Sequence, residues 1–245
     1  PLPQMTVDVE LKETNIIQER DEIISFISEA CGINDRTEIN INSTIPVGRG
    51  LGSSAALSIA IARAKKLTNI REIADKCEKF IHGNPSGIDV NQVLSDTPLL
   101  FSKKDGAIPL DFNLDSYLLI IDTGVIGITK ETLKHIKQNF ENYKSYIDEL
   151  GEITEKVIEP LKKKAIEIVG AYMYKAHGLL QKLGVSHESN DDVVNICKNN
   201  GALGAKLTGG GAGGCCIALS KTKENAEKIQ NELAKKGYKS WIVTV

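Results

Sequence analysis

The stretch Pro46-Val47-Gly48-Arg49-Gly50-Leu51-Gly52-Ser53-Ser54 decides how this chain reads. Ahead of it, Thr37 to Ile45 sets Ile39, Ile41 and Ile45 on alternate positions, which predicts a strand. Behind it, Ser53 to Leu67 is apolar on nearly every side until Arg63, which predicts a helix buried all round. A strand, a glycine loop and a helix start together make an anion site. The glycines let backbone N–H groups turn inward, and the helix N-terminus adds unpaired donors and the positive end of its dipole. Three glycines in five positions, followed by paired serines, suit a di- or triphosphate, and a serine hydroxyl reaches Mg²⁺. The loop is not a Walker A, since no Lys-Ser/Thr pair ends it, nor a GxGxxG with an acidic ribose anchor. A ligand-free turn capped by serines fits the same composition.

Two carboxylates follow. Ile70 to His82 reads as a helix with Ile73, Cys77, Phe80 and Ile81 on one face, and Glu78 at the margin of that face points along a groove. Asn84 as a cap and Pro85 as a first helical residue predict a new short helix carrying Asp89 in its first turns, with its pKa leaning downward near the dipole's positive end. Each acid alone reads as a solvated surface carboxylate. Beside a phosphate loop they supply the parts of phosphoryl transfer: one carboxylate for Mg²⁺ and one to position and deprotonate an attacking hydroxyl.

A second glycine segment, Thr208-Gly209-Gly210-Gly211-Ala212-Gly213-Gly214, packs five glycines into six positions between apolar strands. Such density costs about 1 kcal/mol per glycine relative to alanine in regular structure. Close backbone approach to a ligand or to the first glycine loop accounts for it better than a flexible hairpin does.

The rest of the chain bounds the answer. Its 245 residues suffice for one large or two small domains, and 30 Lys+Arg against 32 Asp+Glu give a net charge of −2. That balance offers no global attraction to nucleic acid or to an anionic membrane. The most apolar stretch, Ala55 to Ala62, falls far short of the roughly 20 residues a membrane span takes, and no signal-peptide pattern opens the chain. The expectation is a cytoplasmic protein. Five cysteines without CxxC spacing and four histidines without HExxH exclude a disulfide framework and a zinc site.

Met5, Val7, Val9 and Leu11 alternate as a strand, and Glu19 to Ala30 reads as a helix ended by Gly32. Pro98 to Asp115 reads as short strands and turns, and Tyr117 to Ile121 as an apolar strand. Thr129 to Lys164 reads as charged helix broken near Gly151 and Pro160, and Ala165 to Leu183 carries an apolar stripe from Ile166 to Leu183. Val193 to Lys198 and Lys223 to Lys236 read as helices, and Ala205 to Leu207, Cys215 to Leu219 and Trp241 to Val245 as strands. The mixture lacks a βαβ rhythm and predicts an α+β fold dividing near Asp115, into domains 1–115 and 116–245.

The three segments resemble the motifs of the GHMP kinases, the superfamily of galactokinase, homoserine kinase, mevalonate kinase and phosphomevalonate kinase, with the mevalonate kinases most similar. Ile81-His82-Gly83-Asn84-Pro85-Ser86-Gly87-Ile88-Asp89 is similar to that family's signature around its catalytic aspartate. Further likeness lies in Ile121-Asp122-Thr123-Gly124-Val125, in His177 to Ser186, and in Gly201 to Gly209.

The resemblance implies a two-domain fold, the first domain like ribosomal protein S5 domain 2 and the second ferredoxin-like. It implies ATP and Mg²⁺ as cofactors and the C5 hydroxyl of mevalonate as acceptor. It further implies that Pro46, Val47, Gly48, Arg49, Gly50, Leu51, Gly52, Ser53 and Ser54 wrap the ATP phosphates, and that Ser54 and Glu78 hold Mg²⁺. Asp89 is implied as the base, with Thr123, Thr208, Gly209, Gly210 and Gly211 supporting the substrate or the phosphate loop. His177 matches a family position too, with a structural hydrogen bond as its expected role. A homodimer is the expected assembly, with neither nucleic acid nor membrane as partner.

Arg49 stands where mevalonate kinases carry a small residue, and IPxGRGLGSS is closer to homoserine kinases there. Homoserine kinases, however, lack an equivalent of Asp89. The family's opening glycine motif, with its lysine, acid and histidine, has no match, Lys12 included, and is expected to precede Pro1. Another small-molecule GHMP kinase, a kinase of the mevalonate C3 hydroxyl, or a silent GHMP-fold sensor are the alternatives.

Overall fold

A computed structural model of the chain describes residues 5–127, 134 and 136–245. Residues pack as two units. One runs up to Val47 and resumes at Gly52–Asp111; the other takes Gly48–Leu51 with Phe112–Val245.

In the first unit, strand β1 (Val7–Glu13) pairs antiparallel with β2 (Thr37–Ser43), Val7 facing Ser43 and Glu13 facing Thr37. Period two brings Val9, Leu11 and Ile39 onto a core of Ile27, Ile33, Ile61, Ile73 and Cys77. Helix α1 (Glu22–Ala30) starts where the Asp21 carboxylate accepts the Ile24 N–H at 2.8 Å, a cap that contributes about 1 kcal/mol. Helix α2 (Ser53–Ala64) buries Ala55, Ala56, Ile59, Ile61 and Ala62, and its one fully buried hydroxyl, Ser58, donates to the Ala55 carbonyl. Helix α3 (Ile70–His82) ends at Gly83. Strands β3 (Leu99–Ser102) and β4 (Gly106–Pro109) form a hairpin.

One helix start differs from the sequence expectation. Helix α4 (Ile88–Val93) begins at Ile88 with Gly87 as its cap, so Asn84 and Pro85 do not open it. Ser86 Oγ accepts the Ile88 N–H at 3.3 Å, and Gly87 takes φ +85°, a conformation that suits glycine. That turn delays the helix.

The second unit is built on a four-stranded antiparallel sheet ordered β6-β7-β5-β8, with β5 (Tyr117–Asp122), β6 (Gly204–Leu207), β7 (Cys215–Ser220) and β8 (Lys239–Thr244). Helices α5 (Phe140–Lys156), α6 (Ile158–Lys162), α7 (Ile166–Lys182) and α8 (Glu188–Asn199) link β5 to β6, and α9 (Lys223–Lys235) links β7 to β8. This order is the split βαβ of ferredoxin-like folds. Leu119, Ile121, Cys216 and Ala218 face α8 and α9, while Leu118, Ile217 and Leu219 face Ile166, Val169 and Met173 of α7. Burial on both faces explains why β5 and β7 read as continuous apolar runs.

Three helix expectations change. α5 passes through Gly151, where a Cβ would meet nothing within 4 Å, and the break expected near Pro160 falls at Val157. Pro160 lies inside α6, early enough that its missing N–H removes no helical bond. α8 begins at Glu188, five positions before Val193, because His187 and Asn190 form a reciprocal capping box. Of the helix expected from Thr129, residues 129–133 and 135 lie outside the described residues. All five cysteines are free and buried.

Candidate active site

In the first unit, the end of α3, the start of α2 and the start of α4 bring Ser54, Glu78, His82 and Asp89 together. Ser54 Oγ is 3.2 Å from His82 Nε2, which is 3.6 Å from Glu78 Oε2. Glu78 is 2% exposed and its Oε1 has no hydrogen-bond partner. Burial raises its pKa, the hydroxyl of Ser54 and His82 act in the opposite direction, and the charge of Asp89 adds to the rise. An unpartnered carboxylate oxygen buried beside a serine hydroxyl fits a hard cation that takes its remaining ligands from phosphate and water. Among the described residues no group of three His, Cys, Asp or Glu converges on a metal.

Asp89 sits against the loop. A Cβ added at Gly52 would stand 3.4 Å from its Cβ, Cγ and Oδ1. The Asp89 pKa is raised, by burial first and with His82 opposing, so the downward shift expected from the sequence is corrected. A six-residue helix presents a weak dipole, and desolvation outweighs it. A base whose pKa moves toward the working pH is the better proton acceptor.

Gly48–Leu51 of the loop belong to the second unit. Gly50 and Gly209 meet backbone to backbone, a Cβ at Gly209 falling 3.0 Å from the Gly50 carbonyl oxygen. The Arg49 carbonyl accepts the Cys215 N–H at 3.1 Å, and Gly48 accepts from Gly127 at 3.2 Å. Thr208 donates to Cys215, Gly214 to Val125 and Ala212 to Val185. A Cβ at Gly211 would fall 2.1 Å from the Val185 oxygen. The glycine run is therefore packed against its surroundings, which a flexible hairpin would not be. Thr123 Oγ1 and N–H both donate to the Gly214 carbonyl, at 2.6 and 3.1 Å. Pro46 and Ser53 are partly buried, as is Leu51, while Val47 and Gly210 are exposed.

Asn190, Asp122 and His82 have no role in the sequence reading, whereas His177, expected to make a structural hydrogen bond, makes one to Leu207. Asn190 clasps Gly213, accepting its N–H at 3.0 Å and donating to its carbonyl at 2.9 Å. The signal for it was the His187-x-x-Asn190 capping spacing. Asp122 pairs with Arg49, and His82 links Ser54 to Glu78. His177 Nδ1 accepts the Leu207 N–H at 3.4 Å and its Nε2 lies 3.2 Å from Asp191, while burial lowers its pKa. It braces the strand that enters the glycine run.

Comparison with known proteins places these features in a class. Residues 15–95 match the GHMP kinases N terminal domain and residues 157–239 the GHMP kinases C terminal family. The mevalonate kinase of Thermococcus sibiricus is 33% identical over 228 residues, covering 83% of this chain and 68% of that protein. That of Pyrococcus furiosus is 32% identical over 253 residues, 91% of this chain and 75% of that protein. The crystal structure of L. major mevalonate kinase in complex with R-mevalonate superposes with TM-score 0.84 at 23% identity, over 98% of this chain and 86% of that one. The chain belongs to the mevalonate kinase family of the GHMP kinases.

Proposed function

We propose that the chain transfers the γ-phosphoryl group of ATP to the C5 hydroxyl of mevalonate. The observation that carries this reading is the placement of Asp89 against Gly52, in the same unit as the Ser54 and Glu78 pair. Family membership supports mevalonate as the acceptor and ATP as the donor.

In this reading Asp89 accepts the hydroxyl proton, its raised pKa suiting that task. The Pro46–Ser54 loop directs backbone N–H groups at the phosphates, and the glycine run holds the loop's crest through Gly209 and Cys215. Ser54 and Glu78 would hold Mg²⁺, which when bound offsets phosphate charge. Positioning and fixed electrostatics carry the rate. Free buried cysteines suit a reducing cytoplasm. Among the described residues no helix is long and apolar enough to cross a membrane.

ADP release measured with mevalonate, phosphomevalonate and homoserine in turn tests the assignment. Turnover with mevalonate alone is expected. Turnover confined to another acceptor, or ATP binding without turnover on any, overturns it.

A further inference from the structure

We propose that the Arg49–Asp122 pair is a positioning latch that fixes the crest of the phosphate loop and sets its affinity for the triphosphate. The proposal rests on the phosphate-loop reading above.

Arg49 is held by both its backbone and its side chain. Its carbonyl accepts from Cys215, the first residue of β7. Its Nε lies 3.0 Å from Asp122 Oδ1, and its Nη2 donates to the Gly124 carbonyl at 3.0 Å. Asp122 is itself fixed. It ends β5, sits opposite Cys215 and Lys239 in the sheet, and its Oδ1 also accepts the Gly124 N–H at 2.9 Å. The side chains are 16% and 13% exposed, so the pair is largely out of water.

Two physical consequences follow. A planar fork that engages a carboxylate and a carbonyl together restrains a glycine-rich loop that would otherwise sample many conformations, which prepays the ordering that ligand binding demands. The guanidinium also neutralises Asp122. Without it, a carboxylate would stand uncompensated beside a loop that must accept a polyanion. Arg49 Nη1 is buried and unpartnered, so the geometry is not explained by hydrogen-bond satisfaction alone.

The test is a double-mutant cycle on the whole chain, with the ATP dissociation constant read by calorimetry and KM determined separately for ATP and mevalonate. Arg49→Met weakens ATP by about tenfold or more while KM for mevalonate stays within about twofold. Arg49→Lys retains the charge but not the fork, and is expected to recover less than half of that loss on a logarithmic scale. Asp122→Asn weakens ATP less than Arg49→Met, and the double variant Arg49→Met/Asp122→Asn is no weaker than Arg49→Met alone. Unchanged ATP affinity in Arg49→Met, full recovery in Arg49→Lys, or losses that multiply in the double variant would overturn the latch. Failure of the unaltered chain to bind ATP would overturn the phosphate-loop reading and the latch with it.

Discussion

Asp89 lies directly against Gly52: a Cβ on that glycine would stand 3.4 Å from the carboxylate's Oδ1, and Gly52 holds φ +66° as the cap of α2. One residue thus serves both the loop's turn and the acid's seat. Gly52→Ala is expected to cost about 1–2 kcal/mol through its left-handed backbone. Crowding of the acid should also lower kcat by about tenfold or more. Thermal melting and steady-state turnover check the two parts separately. A variant with full activity would show that the contact does not position Asp89.

The raised Asp89 pKa fixes the sign of a pH effect. The base works deprotonated, so kcat/KM falls as pH drops through its pKa, and that acid limb should lie above the ordinary aspartate value of about 4. His82 opposes the rise, so His82→Ala should move the limb further up. A pH–rate profile of both proteins reads this directly.

Glu78 links stability to the metal site. Its folded pKa is raised above the unfolded value, so its stabilising contribution is present below the unfolded pKa and is lost as pH rises through the folded pKa. Above that folded pKa the buried charge is a net liability. Glu78→Gln should raise stability most above the folded pKa of Glu78, with little gain at acid pH. It should also weaken Mn²⁺ binding in the presence of nucleotide, read by electron paramagnetic resonance.

Helix α7 offers an internal comparison. A Cβ at Gly170 would fall 2.3 Å from the Leu203 carbonyl oxygen, whereas at Gly178 it would meet nothing within 4 Å. Gly170→Ala should cost about 2–3 kcal/mol by forcing α7 off β6. Gly178→Ala should gain about 0.5–1 kcal/mol by restricting the unfolded chain. Chemical denaturation of the two variants gives both numbers.

What the sequence made legible was periodic. Alternation at Val7, Val9 and Leu11 and the one-sided face of Ile70 to His82 correspond to β1 and α3 because burial of one face writes itself into residue order. The start of α8 was missed because its first turn is polar and is held by the His187 and Asn190 capping box. Gly151 misled because its local penalty is small against the packing of a 17-residue helix. Ser54, Glu78 and Asp89, legible as residue types, stand near one another around His82, and their chemical roles belong to the proposal. The direction of the Asp89 pKa was not legible, since desolvation depends on three-dimensional burial that no spacing reports.

The central claim is that Asp89 serves transfer to the C5 hydroxyl, and product analysis of the unaltered chain beside Asp89→Asn tests it most directly. Incubated with ATP, Mg²⁺ and mevalonate, the unaltered chain should yield a phosphate whose phosphorus resonance couples to the two C5 protons. Asp89→Asn should retain ATP binding while forming product at least about 100-fold more slowly, within the range of general-base effects. Near-normal turnover in Asp89→Asn, or a phosphate lacking that coupling because it sits on the tertiary C3 oxygen, would contradict the account.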